Sequence, residues 1–230
     1  MNVYEIRLKI YMLKNIYSSD IQSEICSLID NCLAKDTKWL NFHNENKFKD
    51  YCFDSMYPLE IDKIYKCGNI YTLTIRTINK DLANYFNNNL PNEYNQTIKG
   101  LTSQVRIIPK KIIEKIYSLT PVILKDDNGY WKNNLLLSEF ENILKSNLIK
   151  KYNSINNTKI DENFELYTSI EFKNKKPIAI KYKDIKLLGD KISLNISDEK
   201  IAQEIAYMAL GTGIMCNCSR GAGFMNFRYL

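Results

Sequence analysis

Histidine is almost missing from this chain: there is one, His43, in 230 residues. That count alone excludes a metal centre built on imidazoles. Six cysteines, at 26, 32, 52, 67, 216 and 218, do not make up for it, because they show no repeated C-x-x-C spacing. The sequence therefore predicts no metal and no cofactor. Long apolar runs are missing too, since none reaches the ~18 residues a membrane span requires. The opening "MNVYEIRLKIYMLKN" alternates apolar and charged residues where a signal peptide would carry a continuous apolar segment. The expectation is a cytoplasmic protein with reduced thiols and no membrane contact. Glycine and proline are scarce, at eight and five, and no Gly/Ser-rich linker divides the chain. The charge is modestly basic, +6 from 32 Lys and Arg against 26 Asp and Glu. It is compatible with a polyanionic partner without identifying one.

What is present is a regular order of elements. Residues 3–13 alternate with a period of two, placing Val3, Glu5, Arg7 and Lys9 on one side and Tyr4, Ile6, Leu8 and Ile10 on the other, as a half-buried strand would. Asp20 precedes a helical pattern carried by Ile21, Ile25, Leu28, Ile29, Cys32 and Leu33. "WLNFHNENKFKDYCF" starts helically and ends extended. Strands follow near 51–57 and over 69–78, then a helix over 81–90 and a strand over 100–109. This order, β-α-β-β-α-β, is that of a ferredoxin-like unit.

The pattern then repeats. A strand over 113–124 is interrupted at Pro121, and a helix over 137–152 has Ser138 to cap it. Extended segments cover 163–173 and 177–196, the second broken near Gly189. A helix over 197–210 starts at Ser197 or Asp198 and is closed by Gly211, and a final strand spans 223–230. The fold expected is α+β, two tandem ferredoxin-like (β-α-β-β-α-β) domains, over residues 1–110 and 111–230.

Four of the eight glycines fall in "GTGIMCNCSRGAGF", at 211, 213, 221 and 223. A Walker or Rossmann phosphate loop follows a strand and opens a helix, whereas these glycines follow a helix and open a strand, and no G-K-[ST] is present. What remains is a helix-to-strand loop able to bring amides close to an anion, with Arg220 to add a bidentate contact and Asn217 and Ser219 as neutral donors. A plain turn would need only two of those glycines.

The glycine pair after a helix, the basic residue and "GAGF" opening the last strand resemble the C-terminal signature of the repeat-associated (RAMP) superfamily of CRISPR proteins. More closely, they are similar to the CRISPR-associated endoribonucleases that cut precursor crRNA. "PLEIDKIYKCGNIYTLTIRT" and "KISLNIS" add weaker likeness. Ala222 and the stretch "IMCNCS" depart from the usual pattern, which affects the loop's contacts more than its membership. The resemblance implies binding of CRISPR repeat RNA (precursor crRNA), with other subunits of a crRNA effector complex as further partners. It also implies cleavage to a 2′,3′-cyclic phosphate and a 5′-hydroxyl without a metal. It assigns His43 as general base or acid, with Lys49, and alternatively Lys47, as its cationic partner. Many relatives add a tyrosine in the first helix. This chain has none there, leaving Asp30, or Tyr51 or Tyr17 from elsewhere. RNA contacts are expected from Gly211, Gly213, Asn217, Ser219, Arg220, Gly221 and Gly223.

Lys173, Lys175 and Lys176 cluster in "KNKKP", with Lys181 and Lys183 beyond. Lys110, Lys111, Arg76 and Arg106 complete a basic set that, as a group, would line a groove for a phosphate backbone. Tyr71, Tyr167 and Tyr182 are available to stack on bases. Two further readings remain open: a non-catalytic RNA-binding subunit of a crRNA surveillance complex, and an unrelated protein–protein module in which the loop is only a turn.

Overall fold

The structure, a computed structural model, describes residues 1–124, 129–182 and 185–230, with Tyr182 and Ile185 described in their backbone only. The first unit consists of β1 (Tyr4–Met12), β2 (Ile16–Tyr17), α1 (Ile21–Leu33), α2 (Thr37–Asn44), β3 (Tyr51–Tyr57), β4 (Ile64–Tyr65), β5 (Ile70–Thr77), α3 (Lys80–Asn89) and β6 (Ile98–Ile107). Its four long strands form an antiparallel sheet in the order β3-β5-β1-β6, with Tyr4 opposite Thr77 on one side and Ile107 on the other. The apolar stripe read along α1 is buried, with Ile21, Ile25, Leu28, Ile29, Cys32 and Leu33 all packed into the core over Ile6, Leu8 and Ile10. Burial of this kind contributes roughly 25 cal/mol per Å² of apolar surface and holds α1 flat on the sheet.

The second unit repeats the plan with β7 (Ile113–Ser118), α4 (Leu137–Asn156), β8 (Tyr167–Phe172), β9 (Ile178–Tyr182), β10 (Ile185–Gly189), β11 (Ile192–Ile196), α5 (Lys200–Thr212) and β12 (Met225–Tyr229). Its sheet order, β12-β7-β11-β8, is the same permutation as in the first unit. The chain is two tandem ferredoxin-like units.

Four details differ from the sequence expectation. Residues 177–196 are not one broken strand. They make a separate antiparallel hairpin, β9 with β10, inserted before β11, and its Lys181 reaches Asp20 at the start of α1 (3.1 Å). Ser138 does not cap α4; Leu136 precedes the helix, and its amide donates to the Glu139 carboxylate at 2.7 Å. Helix α5 runs through Gly211 and ends at Thr212, the chain reversing at Gly213 with a φ of 69°. Gly211 lies against the first unit, where a Cβ would stand 2.7 Å from Ile78 Cγ2.

The fourth difference is Glu5, which the alternation placed on a polar side and which is 1% exposed. At its Val3–Glu5 end that side faces the second unit, while Arg7 and Lys9 stay exposed. Arg76 bonds Glu5 at 2.9 Å, donates to the Met225 carbonyl, and lies with its guanidinium 4.6 Å from the Phe224 ring centre. Nearby, the Tyr207 hydroxyl on α5 accepts from the Val3 amide (3.1 Å) and donates to the Ile108 carbonyl (2.6 Å). These bonds fix how the two units meet.

Candidate functional site

Helix α1 presents one polar face, Gln22, Cys26 and Asp30 at four-residue spacing with Ser23, Ser27 and Asn31 beside them, away from its apolar stripe. Helix α2 is set by its cap. The Asp36 carboxylate accepts from the amides of Lys38 (2.8 Å) and Trp39 (3.3 Å), and Trp39 is buried edge-on to Phe42. His43, four residues after Trp39, points back to α1, and its Nδ1 stands 3.6 Å from Asp30 Oδ1. The other Asp30 oxygen accepts from Arg220 at 2.9 Å. Arg220 lies 190 residues from Asp30 in sequence, and with His43 it meets this one carboxylate. Asp30, Arg220 and His43 are each a quarter to a third exposed, so the group is open to a ligand.

Arg220 is held there by the glycine loop. Gln22 Nε2 donates to the Arg220 carbonyl (3.3 Å), and the next residue, Gly221, lies so close to α1 that a Cβ would fall 1.3 Å from that same nitrogen. Gly223 has a φ of 60° and no room for a Cβ beside the Ile214 carbonyl. The amides of Gly213, Gly221 and Gly223 donate to the carbonyls of Ala209, Cys218 and Pro121. Glycine is therefore used in this loop for close approach, and the amides of those three glycines are consumed inside the fold. Gly211 is packed within α5.

Lys49 turns back onto the end of α2, donating to the carbonyls of Phe42 (2.5 Å) and Glu45 (2.6 Å) on either side of His43 in sequence. Burial lowers its ammonium below the usual lysine range. Lys47 is exposed and paired with Glu45. Lys47, Lys49, Asn217, Ser219 and Arg220 all line one open cleft of about 660 Å³ between residues 45–49, α4 and the glycine loop. Arg220 also lines a second hollow, about 370 Å³, against the polar face of α1 and Lys181.

Other residues that the sequence singles out fall elsewhere. Lys173, Lys175 and Lys176 are exposed on the turn between β8 and β9 and line neither hollow. Arg76 and Arg106 are committed to Glu5, and Tyr71 is buried with its hydroxyl bonded to Glu60. Tyr167 is hydrogen-bonded to Glu141, which with burial raises its phenol. Lys183 and the Tyr182 side chain lie outside the described residues. Tyr51 is buried beside Asp30 and Ser219, and burial raises its phenol, while Tyr17 is exposed on β2.

All described cysteines are free thiols. Among the described residues no group of three His, Cys, Asp or Glu side chains is placed to hold a metal ion, and no helix is long and apolar enough to cross a membrane.

Sequence reasoning missed Lys151. It lies on the buried stripe of α4 with Leu144 and Leu148 and lines the cleft. A lysine at an apolar helix position was a legible signal.

A family model for the C-terminal part of the CRISPR-associated protein Cas6 matches residues 108–227, just over half of the chain. No curated protein matches the sequence. Three solved structures are similar over the full length. A CRISPR-associated protein Cas6 has a TM-score of 0.70 at 20% identity, covering 98% of this chain and 99% of that one. A RAMP protein described as binding different RNA substrates has a TM-score of 0.74 at 16% identity, with coverage of 98% and 99%. The product of a Cas6-related gene from Pyrococcus furiosus has a TM-score of 0.67 at 15% identity, covering 98% of both chains. At these identities the structural likeness speaks for the fold.

Proposed function

The chain belongs to the Cas6 family of CRISPR-associated proteins, and from that premise we propose that it is an endoribonuclease that cuts CRISPR repeat RNA in precursor crRNA by 2′-OH attack, without a metal. The observation that carries this reading is the Asp30 carboxylate bridging His43 and Arg220. It sets an imidazole, a side chain suited to general acid–base work, beside a guanidinium suited to a phosphate.

With Asp30 on Nδ1, the imidazole turns Nε2 to the substrate, where it takes the proton of the 2′-OH as general base. The 2′ oxygen forms a bond to phosphorus while the bond to O5′ breaks, giving a 2′,3′-cyclic phosphate. Arg220 neutralises the charge that develops on the non-bridging oxygens. Lys49 gives a proton to the departing O5′, and the burial that lowers its ammonium makes that transfer easier. The RNA is read as a single strand laid over the two hollows that share Arg220.

Incubating the protein with repeat RNA in EDTA tests the proposal. The expected result is one cut per repeat with cyclic-phosphate ends, slowed at least ~100-fold by His43→Ala. Unchanged cleavage by His43→Ala overturns the mechanism. Tight binding with no cut by the wild type would assign the chain to a non-catalytic RNA-binding subunit instead.

A further inference from the structure

Lys151 is 3% exposed, yet it belongs to the wall of the 660 Å³ cleft. Its Nζ donates to the Gly213 carbonyl at 3.1 Å and to Cys218 Sγ at 3.4 Å, and lies 5.7 Å from the Phe48 ring centre. Every one of these partners is neutral, because burial raises the Cys218 thiol and keeps it protonated. Among the described residues no carboxylate lies within ion-pair distance of Lys151. The cleft adds like charge: Lys47, Lys49 and Arg220 line it too, against the single carboxylate of Glu45, which is taken by Lys47.

A buried ammonium held only by dipoles is costly unless an anion completes its shell. The dipoles here also fix where the ammonium sits. The Gly213 carbonyl belongs to the residue that reverses the chain after α5, and Cys218 opens the turn that carries Arg220. Lys151 is thus tied to the same loop that positions Arg220, on the side facing the cleft.

We propose that Lys151 is a phosphate-binding residue. In this reading, which rests on the proposed function, the cleft is a subsite for one backbone phosphodiester of the RNA next to the bond that is cut, with Lys151 as its buried counter-charge. The scissile phosphate lies at Arg220, His43 and Lys49, and its neighbour sits deeper, where the strand passes between residues 45–49 and α4.

The test measures binding of a cleavage-blocked, 2′-O-methyl CRISPR repeat RNA across a range of salt to the wild type, Lys151→Gln and Lys151→Met. Glutamine keeps a donor for the Gly213 carbonyl and drops the charge. The expected result is roughly tenfold weaker binding at low salt and a salt slope shallower by about 0.7, the value of one single-strand phosphate contact. The glutamine variant should keep its thermal melt close to that of the wild type. Unchanged affinity and slope in a folded variant would overturn the assignment while leaving the nuclease reading intact, whereas a wild type that binds no repeat RNA would overturn both.

Should neither variant fold, the wild type decides it with a repeat RNA carrying one uncharged methylphosphonate at the phosphate next to the scissile bond. That RNA is expected to bind roughly tenfold more weakly than the unmodified one, and equal affinity overturns the proposal. Inorganic phosphate, run as a separate arm, is expected to leave the wild-type melt where chloride leaves it. A phosphate-specific rise that Lys151→Gln abolishes would reassign the cleft to the free anion.

Discussion

Glu5 and Asp30 are both carboxylates that hold arginine at the boundary between the two units, Glu5 an arginine of its own unit and Asp30 one of the other, and they have opposite fates. Glu5 and Arg76 are 2% and 5% exposed at the side chain, the pair is locked to the Met225 carbonyl, and Arg106 and Arg7 bond the same carboxylate from the rim. Asp30 and Arg220 are 31% and 28% exposed and share their contact with a histidine. A buried pair whose remaining valences are filled by backbone and ring has nothing left to offer a substrate. A half-exposed pair flanked by two hollows does. Burial, more than the pairing itself, separates a structural arginine from one available to RNA.

The comparison breaks most visibly at Glu5. Glu5→Ala strands Arg76 in the seam and is expected to cost about 3–5 kcal/mol of stability in urea denaturation. RNA affinity of the remaining folded protein should be unaltered; a loss below ~1 kcal/mol would mean that water reaches Arg76. Asp30→Asn should do the reverse. Cleavage is expected to fall roughly tenfold as His43 and Arg220 lose their shared anion, with stability within about 1 kcal/mol of the wild type. A stability loss matching that of Glu5→Ala would make Asp30 structural.

The smallest effect concerns a third carboxylate, Asp54. Burial raises its pKa to about 6, opposed by the Ser55 amide and by Arg76 and Lys191. The folded value lies above the unfolded value of 3.8, so its contribution falls as pH rises from about 4 to 6 and stays lost above that. Glu5 behaves oppositely. Burial raises it, but Arg76 and Arg106 together bring it below 4.5, so its contribution holds above that pH and is lost on acidification. Asp54→Asn is accordingly expected to raise stability by about 1 kcal/mol at pH 8 and by almost nothing at pH 4, read from melts at the two pH values. Equal gains at both would show that the asparagine acts through packing.

The order of elements was legible because each unit writes its own local periodicity: the stripe of α1 and the alternation of β1 need only neighbouring residues. Glu5 was misplaced for the same reason. Alternation tells which residues share a face, while what covers that face is supplied by Phe224 and Met225, more than 200 residues on. The insertion of β9 and β10 was hidden because a hairpin and a broken strand have the same composition. At the candidate site, His43 and Lys49 were singled out by likeness to a family and Arg220 by its glycines. That His43 and Arg220 meet on Asp30 is a tertiary fact, carried by Gly221 against Gln22, and no spacing announces it. The exposed lysines at 173, 175 and 176 stand out by their clustering, whereas Lys151 is marked only by its place on an apolar stripe.

The bond from Arg76 to the Met225 carbonyl has a consequence for how the chain is made. The first unit contains both members of the Glu5–Arg76 pair within 77 residues, but the carbonyl and rings that close over them come from Phe224 and from β12. During synthesis the nascent first unit therefore leaves the ribosome with a charged, incompletely covered flank. It stays that way until the segment around Phe224 and Met225 has been translated.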